Sequence, residues 1–178
     1  MIDNYGIFMI QRILLVALLF LCASCTASYK YRVDNPSSKA LRSNKRIAIT
    51  TSEDGSYGEK IYHGTGKTLS YEIREELRNY SNRITIFRDK ENLDDFDDDE
   101  LESFDYIVVP EILHWEDRST EWSGIPDRIS FSIEIYDSQG RLLKSAKLQG
   151  KSRSMSMTST DPEKLIKKPL SDFLRSCF

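Results

Sequence analysis

Ile129-Ser130-Phe131-Ser132-Ile133-Glu134-Ile135-Tyr136 alternates apolar and polar side chains without a break. That is the period of a strand with one buried face, and it decides the fold class. Asp137-Ser138-Gln139-Gly140 follows as a turn, Gly140 suiting the positive φ of a bulged hairpin, and Leu142, Ala146 and Leu148 mark the return strand. Toward the N-terminus, Asp105-Tyr106-Ile107-Val108-Val109-Pro110 opens a longer strand that continues past Trp115. Pro110 has no backbone donor, so it marks a bulge or a local edge.

Further out, Lys45 to Thr51 alternates as a first strand and Asp54-Gly55-Ser56-Tyr57-Gly58 reads as a loop. Leu69, Ile73, Leu77 and Tyr80 recur at helical spacing and predict a helix over 65–79. Arg83-Ile84-Thr85-Ile86-Phe87 predicts a second strand, and a short helix is expected through Leu101. At the C-terminal end Asp161 caps a helix with Pro162 at its first position, and Pro169 is expected to kink and restart it. Strand, helix, strand, meander and closing helix predict a two-layer α+β domain: a mixed or antiparallel sheet of about five strands with helices packed on one face.

The N-terminal stretch decides compartment. An apolar run of about eleven residues from Ile13 ends in Leu21-Cys22-Ala23-Ser24-Cys25, small residues before a cysteine after a short basic start. The run is too short to cross a bilayer, which takes about 20 apolar residues, and it reads as a lipoprotein signal over 1–24. Initiation at Met9 would make its positive end cleaner. Cys25 is then the lipidated residue, an ordinary cleaved secretory signal being the plainer alternative. Thr26 stands where an Asp would hold a lipoprotein in the inner membrane, so the expected address is the periplasmic face of the outer membrane. Residues 25–44 show little periodicity and are expected to be a tether reaching about 25 Å, with a single domain over 45–178.

The overall charge of −3 hides an uneven distribution: residues 89–105 carry −9, leaving +6 on the rest of the chain. The acidic run lacks the glycine and ligand spacing of a calcium loop and reads as a solvated loop or short helix. The basic remainder lacks the dense stripe of a nucleic-acid binder, so no nucleic-acid partner is expected. Cys177 sits in the apolar end Phe173-Leu174-Arg175-Ser176-Cys177-Phe178 and reads as a small core residue, with pairing between chains as the alternative.

Two segments invite a chemical reading. Gly64-Thr65-Gly66-Lys67-Thr68 looks like a phosphate loop, but Ile61 stands where the first glycine of such a loop is required. It reads as a glycine-flanked helix start capped by Thr65 or Thr68, and no nucleotide is expected. His114-Trp115-Glu116-Asp117-Arg118 is the densest polar cluster on a predicted strand. Alternation places His114 and Glu116 on one face and Trp115 and Asp117 on the other. One face thus offers two ligands where zinc takes three or four, so neither metal nor cofactor is expected. Pairing with Arg118 or Arg128 across strands accounts for these charges. Trp115, Trp122 and Tyr136 with Gly124 and Pro126 either cover the open face of the meander or present an aromatic surface.

Asp54 to Gly58 with Gly64-Thr65-Gly66, then His114 to Arg118 through Trp122-Ser123-Gly124 and Pro126-Asp127-Arg128, then Gly150-Lys151-Ser152, together resemble a family of Gram-negative lipoproteins, the domain of unknown function 4823. The resemblance covers roughly residues 45–178. It implies an envelope lipoprotein and carries no established activity. A looser similarity is to the small α/β domains of periplasmic assembly proteins. The expected function is a non-enzymatic, membrane-anchored module that binds an envelope protein or glycan. Its candidate surface comprises His114, Trp115, Glu116, Asp117, Arg118, Trp122, Asp127 and Arg128. The alternatives are a hydrolase or metal-dependent enzyme using His114, Glu116 and Asp117, and a subunit of an oligomeric secretion or envelope-assembly apparatus.

Overall fold

The computed structural model describes residues 27–36, 39–117, 125–152 and 162–178. The elements in chain order are β1 (Ser28–Pro36), β2 (Arg46–Ile49), β3 (Ser56–Tyr57), β4 (Lys60–Ile61), α1 (Thr65–Leu77), β5 (Arg83–Ile86), a 3-10 turn (Leu93–Asp95), α2 (Asp98–Glu102), β6 (Tyr106–Glu116), β7 (Arg128–Asp137), β8 (Leu142–Lys151) and α3 (Lys164–Cys177). Six strands form one sheet in the order β1-β8-β7-β6-β2-β5, and β3 pairs with β4 in a small separate hairpin. The expected loop over 54–58 therefore contains the first strand of that hairpin. β2 runs parallel to β5 and β6, and the other four strands are antiparallel. The architecture is α+β, with a mixed sheet.

β1 corrects the expected tether. Tyr29, Tyr31 and Val33 alternate with Ser28, Lys30 and Arg32, and the strand pairs with β8 from Ser28 opposite Lys151 to Pro36 opposite Lys144. As the sheet edge it buries little, so its weak hydrophobic signal is lost in a polar composition. Residues 28–36 thus belong to the folded domain, which begins before residue 45.

The alternation that predicted β7 is reproduced in its packing: Ile129, Phe131, Ile133 and Ile135 are buried against α1 and α3. Each contributes about 1.5–3 kcal/mol by leaving water. α1 supplies Leu69, Ile73 and Leu77, and α3 supplies Leu165, Ile166, Leu170, Phe173, Leu174 and Cys177. Cys177 is accordingly a core residue, and burial pushes its thiol up to about 11. Asp137 to Gly140 makes the expected turn, with Gly140 at φ 69°.

Two expectations about proline resolve differently. Val108 O accepts from Thr50 N, and Ile112 N donates to Ser52 Oγ, so the even-numbered backbone groups of β6 face β2. Pro110 lies between them, beyond the last β2 partner at Val108, and its missing donor falls at a local edge. Pro169, by contrast, lies inside one continuous helix, with no restart. Its absent N–H would have met the Leu165 carbonyl. That oxygen instead lies close over Gly150, where an added Cβ would come within 2.8 Å.

α1 and α3 share one face of the sheet, while the opposite, outer face is divided. At the β5–β2–β6 end the acidic segment crosses it, and Phe96 packs with Ala48 and Ile107, flanked by Phe87, Leu93, Leu101 and Phe104. The short α2 therefore lies on the face opposite the two long helices, a departure from the expected one-sided packing. The other half of the outer face, over β7, β8 and β1, carries polar side chains.

Candidate functional site

A β-bulge decides what that outer face displays. The β6–β7 register shifts between Ile112 and His114, so Leu113 is the extra residue. Without it His114 would continue the inward phase of Val108, Pro110 and Ile112. With it His114 stands opposite Ser130 and Glu116 opposite Arg128 on the outer face, while Trp115 turns inward opposite Ile129. Trp115 is 3% exposed and packs over Gly55. It belongs to the core.

The outer face here is a groove of about 520 Å³, lined in part by Lys30, His114, Arg128, Lys147, Gln149 and Lys151. The strand ladders set this spacing: Ser130, Gln149 and Lys30 form one cross-strand row, and Arg128, Lys151 and Ser28 the next. Lys30, Arg128, Lys147 and Lys151 form no ion pair among the described residues, and the described lining contains no carboxylate. The groove therefore carries a concentrated positive potential.

His114 Nε2 lies 3.3 Å from Glu116 Oε2, and the Tyr57 ring meets the imidazole edge-on at 5.4 Å. Glu116 is 4% exposed. Ser130, the cross-strand partner of His114, has a buried Oγ without a hydrogen bond among the described residues, so the imidazole does not activate it. Asp117 lies just past the strand, where its backbone N–H and C=O both bond to the Tyr62 hydroxyl. His114, Glu116 and Asp117 are thus a hydrogen-bonded pair plus a backbone anchor. No cluster of three metal-ligating side chains occurs among the described residues.

The remaining candidates separate by role. Asp127 is 8% exposed and clasps Ser152: Asp127 N donates to Ser152 Oγ at 2.8 Å and Ser152 N to Asp127 O at 2.9 Å. It pins the start of β7 to the end of β8. Arg128 lines the groove. Arg118 and Trp122, like Cys25, the signal segment and Asp161, lie outside the described residues. Sequence reasoning missed Lys30, Lys147, Gln149 and Lys151. Their signal was the alternation Ser28-Tyr-Lys-Tyr-Arg and Lys147-Leu-Gln-Gly-Lys, which places the polar members on one face.

The segment resembling a phosphate loop is already supplied with an anion. Asp54 accepts from Gly66 N through Oδ1 and from Gly64 N through Oδ2, both at 3.0 Å, at the N-terminus of α1. Burial opposes its charge, but the Gly66 and Gly64 amides, with His63 beside them, hold the carboxyl below its ordinary value. Neither threonine caps α1 through its side chain as expected. Thr65 Oγ1 instead donates to Tyr62 O and accepts from Gly55 N.

At the far end of the outer face the acidic segment is held by Lys90, which donates to Glu100 at 2.8 Å and to Asp95 O at 2.7 Å. Asp95 and Asp97 are engaged in capping boxes. Asp89, Glu91, Asp94, Asp98, Asp99 and Glu102 are exposed and make no ion pair among the described residues. Burial, the hydrogen bond to Glu134 and the charge of Asp94 push the Tyr136 phenol up to about 12.

Comparison with known proteins places this geometry in context. The family model described as "Domain of unknown function (DUF4823)" matches residues 39–177. No curated protein matches the sequence. Among solved structures, a PelC dodecamer from Paraburkholderia phytofirmans superposes with a TM-score of 0.58 at 17% identity, covering 82% of this chain and 96% of that one. A variant of that dodecamer in a second crystal form gives 0.56 at 17% identity, with 83% and 96% covered. A Xanthomonas campestris protein of family DUF330 gives 0.47 at 14% identity, with 79% and 86% covered. The PelC likeness is one of fold.

Proposed function

The chain belongs to the DUF4823 family, and from that premise we propose that it is a lipid-anchored envelope module, held at the periplasmic face of the outer membrane, that works by binding rather than by catalysis. The observation that carries this reading is the outer sheet face: a charged groove beside a hydrogen-bonded His114–Glu116 pair at which, among the described residues, there is no cluster of three metal-ligating side chains and no serine bonded to the imidazole. A surface of that kind recognises charge and shape, with envelope protein or glycan as the class of partner. The anchor rests on the Leu21 to Cys25 signal. Several acyl chains hold firmly where one alone is marginal.

Metabolic labelling with a palmitate analogue tests the anchor. Label is expected on the wild-type chain in the outer-membrane fraction and lost in Cys25→Ala; an unlabelled wild-type chain in the soluble fraction overturns it. Crosslinking in intact envelopes tests the binding role, and a chain that captures no reproducible partner counts against it.

A second reading, a subunit of an oligomeric envelope assembly, is favoured by the fold it shares with PelC, whose structures are dodecamers. A monomer in mild detergent at high concentration would remove this second reading while leaving the anchor untouched.

A further inference from the structure

The outer face is electrically polar along its strands. Lys30, Arg128 and Lys151 gather at the end where β7 begins, with Lys147 opposite Ser132 in mid-strand, and the acidic segment lies over the other end, where Asp94 acts on Tyr136. Along β7 at about 3.3 Å per residue, Tyr136 is about 26 Å from Arg128 and about 13 Å from Ser132, which stands opposite Lys147. Salt screens charges over about 8–10 Å. The two patches are therefore too far apart to neutralise each other within one domain. Among the described residues, six exposed carboxylates at one end and four cations without an ion pair at the other remain available to another molecule.

We propose that the basic groove receives the acidic segment of a second copy of this chain, giving head-to-tail self-association. The segment suits the groove in form as well as in charge. Its apolar side chains Leu93, Phe96 and Leu101 are turned onto its own sheet, so Asp94, Asp98 and Asp99 project from a fixed 3-10 and α-helical scaffold instead of a floppy loop. The groove is a concavity uncovered among the described residues, and its cations stand on adjacent strands at ladder spacing. Because each copy uses a different patch on either side of the contact, the interface is heterologous, and its repetition yields a ring or a filament. The inference deepens the assembly reading above and does not depend on the lipid anchor.

The test uses the full chain in mild detergent and follows mass by sedimentation at low and high salt. A face variant, Lys30→Glu/Lys147→Glu/Lys151→Glu, and a segment variant, Asp94→Lys/Asp98→Lys/Asp99→Lys, are each compared with wild type after circular dichroism confirms folding. Wild type is expected to associate at low salt and dissociate at high salt, and each variant alone to remain monomeric. An equal mixture of the two variants is expected to associate again at low salt, since the face variant's acidic segment matches the segment variant's basic groove and the two reversed patches are themselves opposite in charge. Where charge reversal prevents folding, Lys30→Gln/Lys147→Gln/Lys151→Gln is expected to weaken association at least tenfold. A monomeric wild type, or an oligomer that neither variant changes, overturns the proposal. So does a monomer whose groove retains polygalacturonate and loses it in the face variant, which would assign the groove to an anionic glycan. Palmitate labelling is read separately, so a failed anchor and a failed interface are told apart.

Discussion

Gly150 of β8 and Leu165 of α3 meet so closely that a Cβ added to the glycine would fall 2.7 Å from Leu165 Cβ and 2.8 Å from its carbonyl oxygen. The contact is made by backbone and core together, so relief would require the helix to shift. Gly150→Ala is expected to cost about 1–3 kcal/mol, as overpacking a close-packed interior does. Urea unfolding should show a lower midpoint with an unchanged slope; an unmoved midpoint would mean that α3 yields freely.

Asp54 closes the N-terminus of α1 from outside the helix, accepting from the Gly64 and Gly66 amides. Asp54→Ala removes that acceptor and is expected to cost about 1 kcal/mol, within the usual range for a lost cap. Asp54→Asn, which keeps one oxygen acceptor, should cost less. Equal losses in the two variants would show that one neutral acceptor cannot stand in for the two carboxylate oxygens.

Acid should weaken the fold by a definite route. Backbone hydrogen bonding from Arg46, with burial opposing and Lys45 and Arg46 adding their charge, lowers the Asp105 carboxyl. Burial likewise opposes the charge of Asp137, yet hydrogen bonds from Arg141 and Gln139 lower it, and Asp54 behaves in the same way. A carboxyl lowered in the folded state binds its proton less readily there than in the unfolded chain. Its contribution is therefore present above the unfolded value of about 3.9 and lost as pH falls through the lowered folded value. The melting temperature should fall as pH drops from about 5 toward 2, and the fall should be shallower in Asp105→Asn.

Cys177 should be chemically silent in the native protein. Its thiol is buried and pushed up to about 11, so the thiolate that reacts is scarce at neutral pH. Peptide mass mapping after a brief maleimide treatment is expected to find Cys177 unmodified in buffer and labelled in urea. Prompt labelling in buffer would mean that the end of α3 opens readily.

The central strands and both long helices were legible in the sequence because their burial repeats at the period of the element. Ile129 to Ile135 does so at two, and Leu69, Ile73 and Leu77 at four. β1 was not legible, because an edge strand buries only alternate residues partially. The bulge at Leu113 left no mark either: a register shift arises from pairing with β7, not from the local run of residues. The assignment of His114 and Glu116 to one face needed only alternation within β6. The groove needed the pairing of β8 with β1, which joins residues more than a hundred positions apart, such as Ser28 and Lys151.

If the proposed anchor holds, the first strand also sets the posture of the domain at the membrane. With Ser28 locked onto Lys151, a lipid on Cys25 would leave only Thr26 and Ala27 as slack, about 10 Å of extended chain at about 3.3 Å per residue. A globule on so short a leash would rest against the leaflet and pivot little. The outer rim of the sheet, where Ser28 and Lys30 sit, would be its nearest side to the headgroups, and neighbouring copies would meet already aligned in a plane.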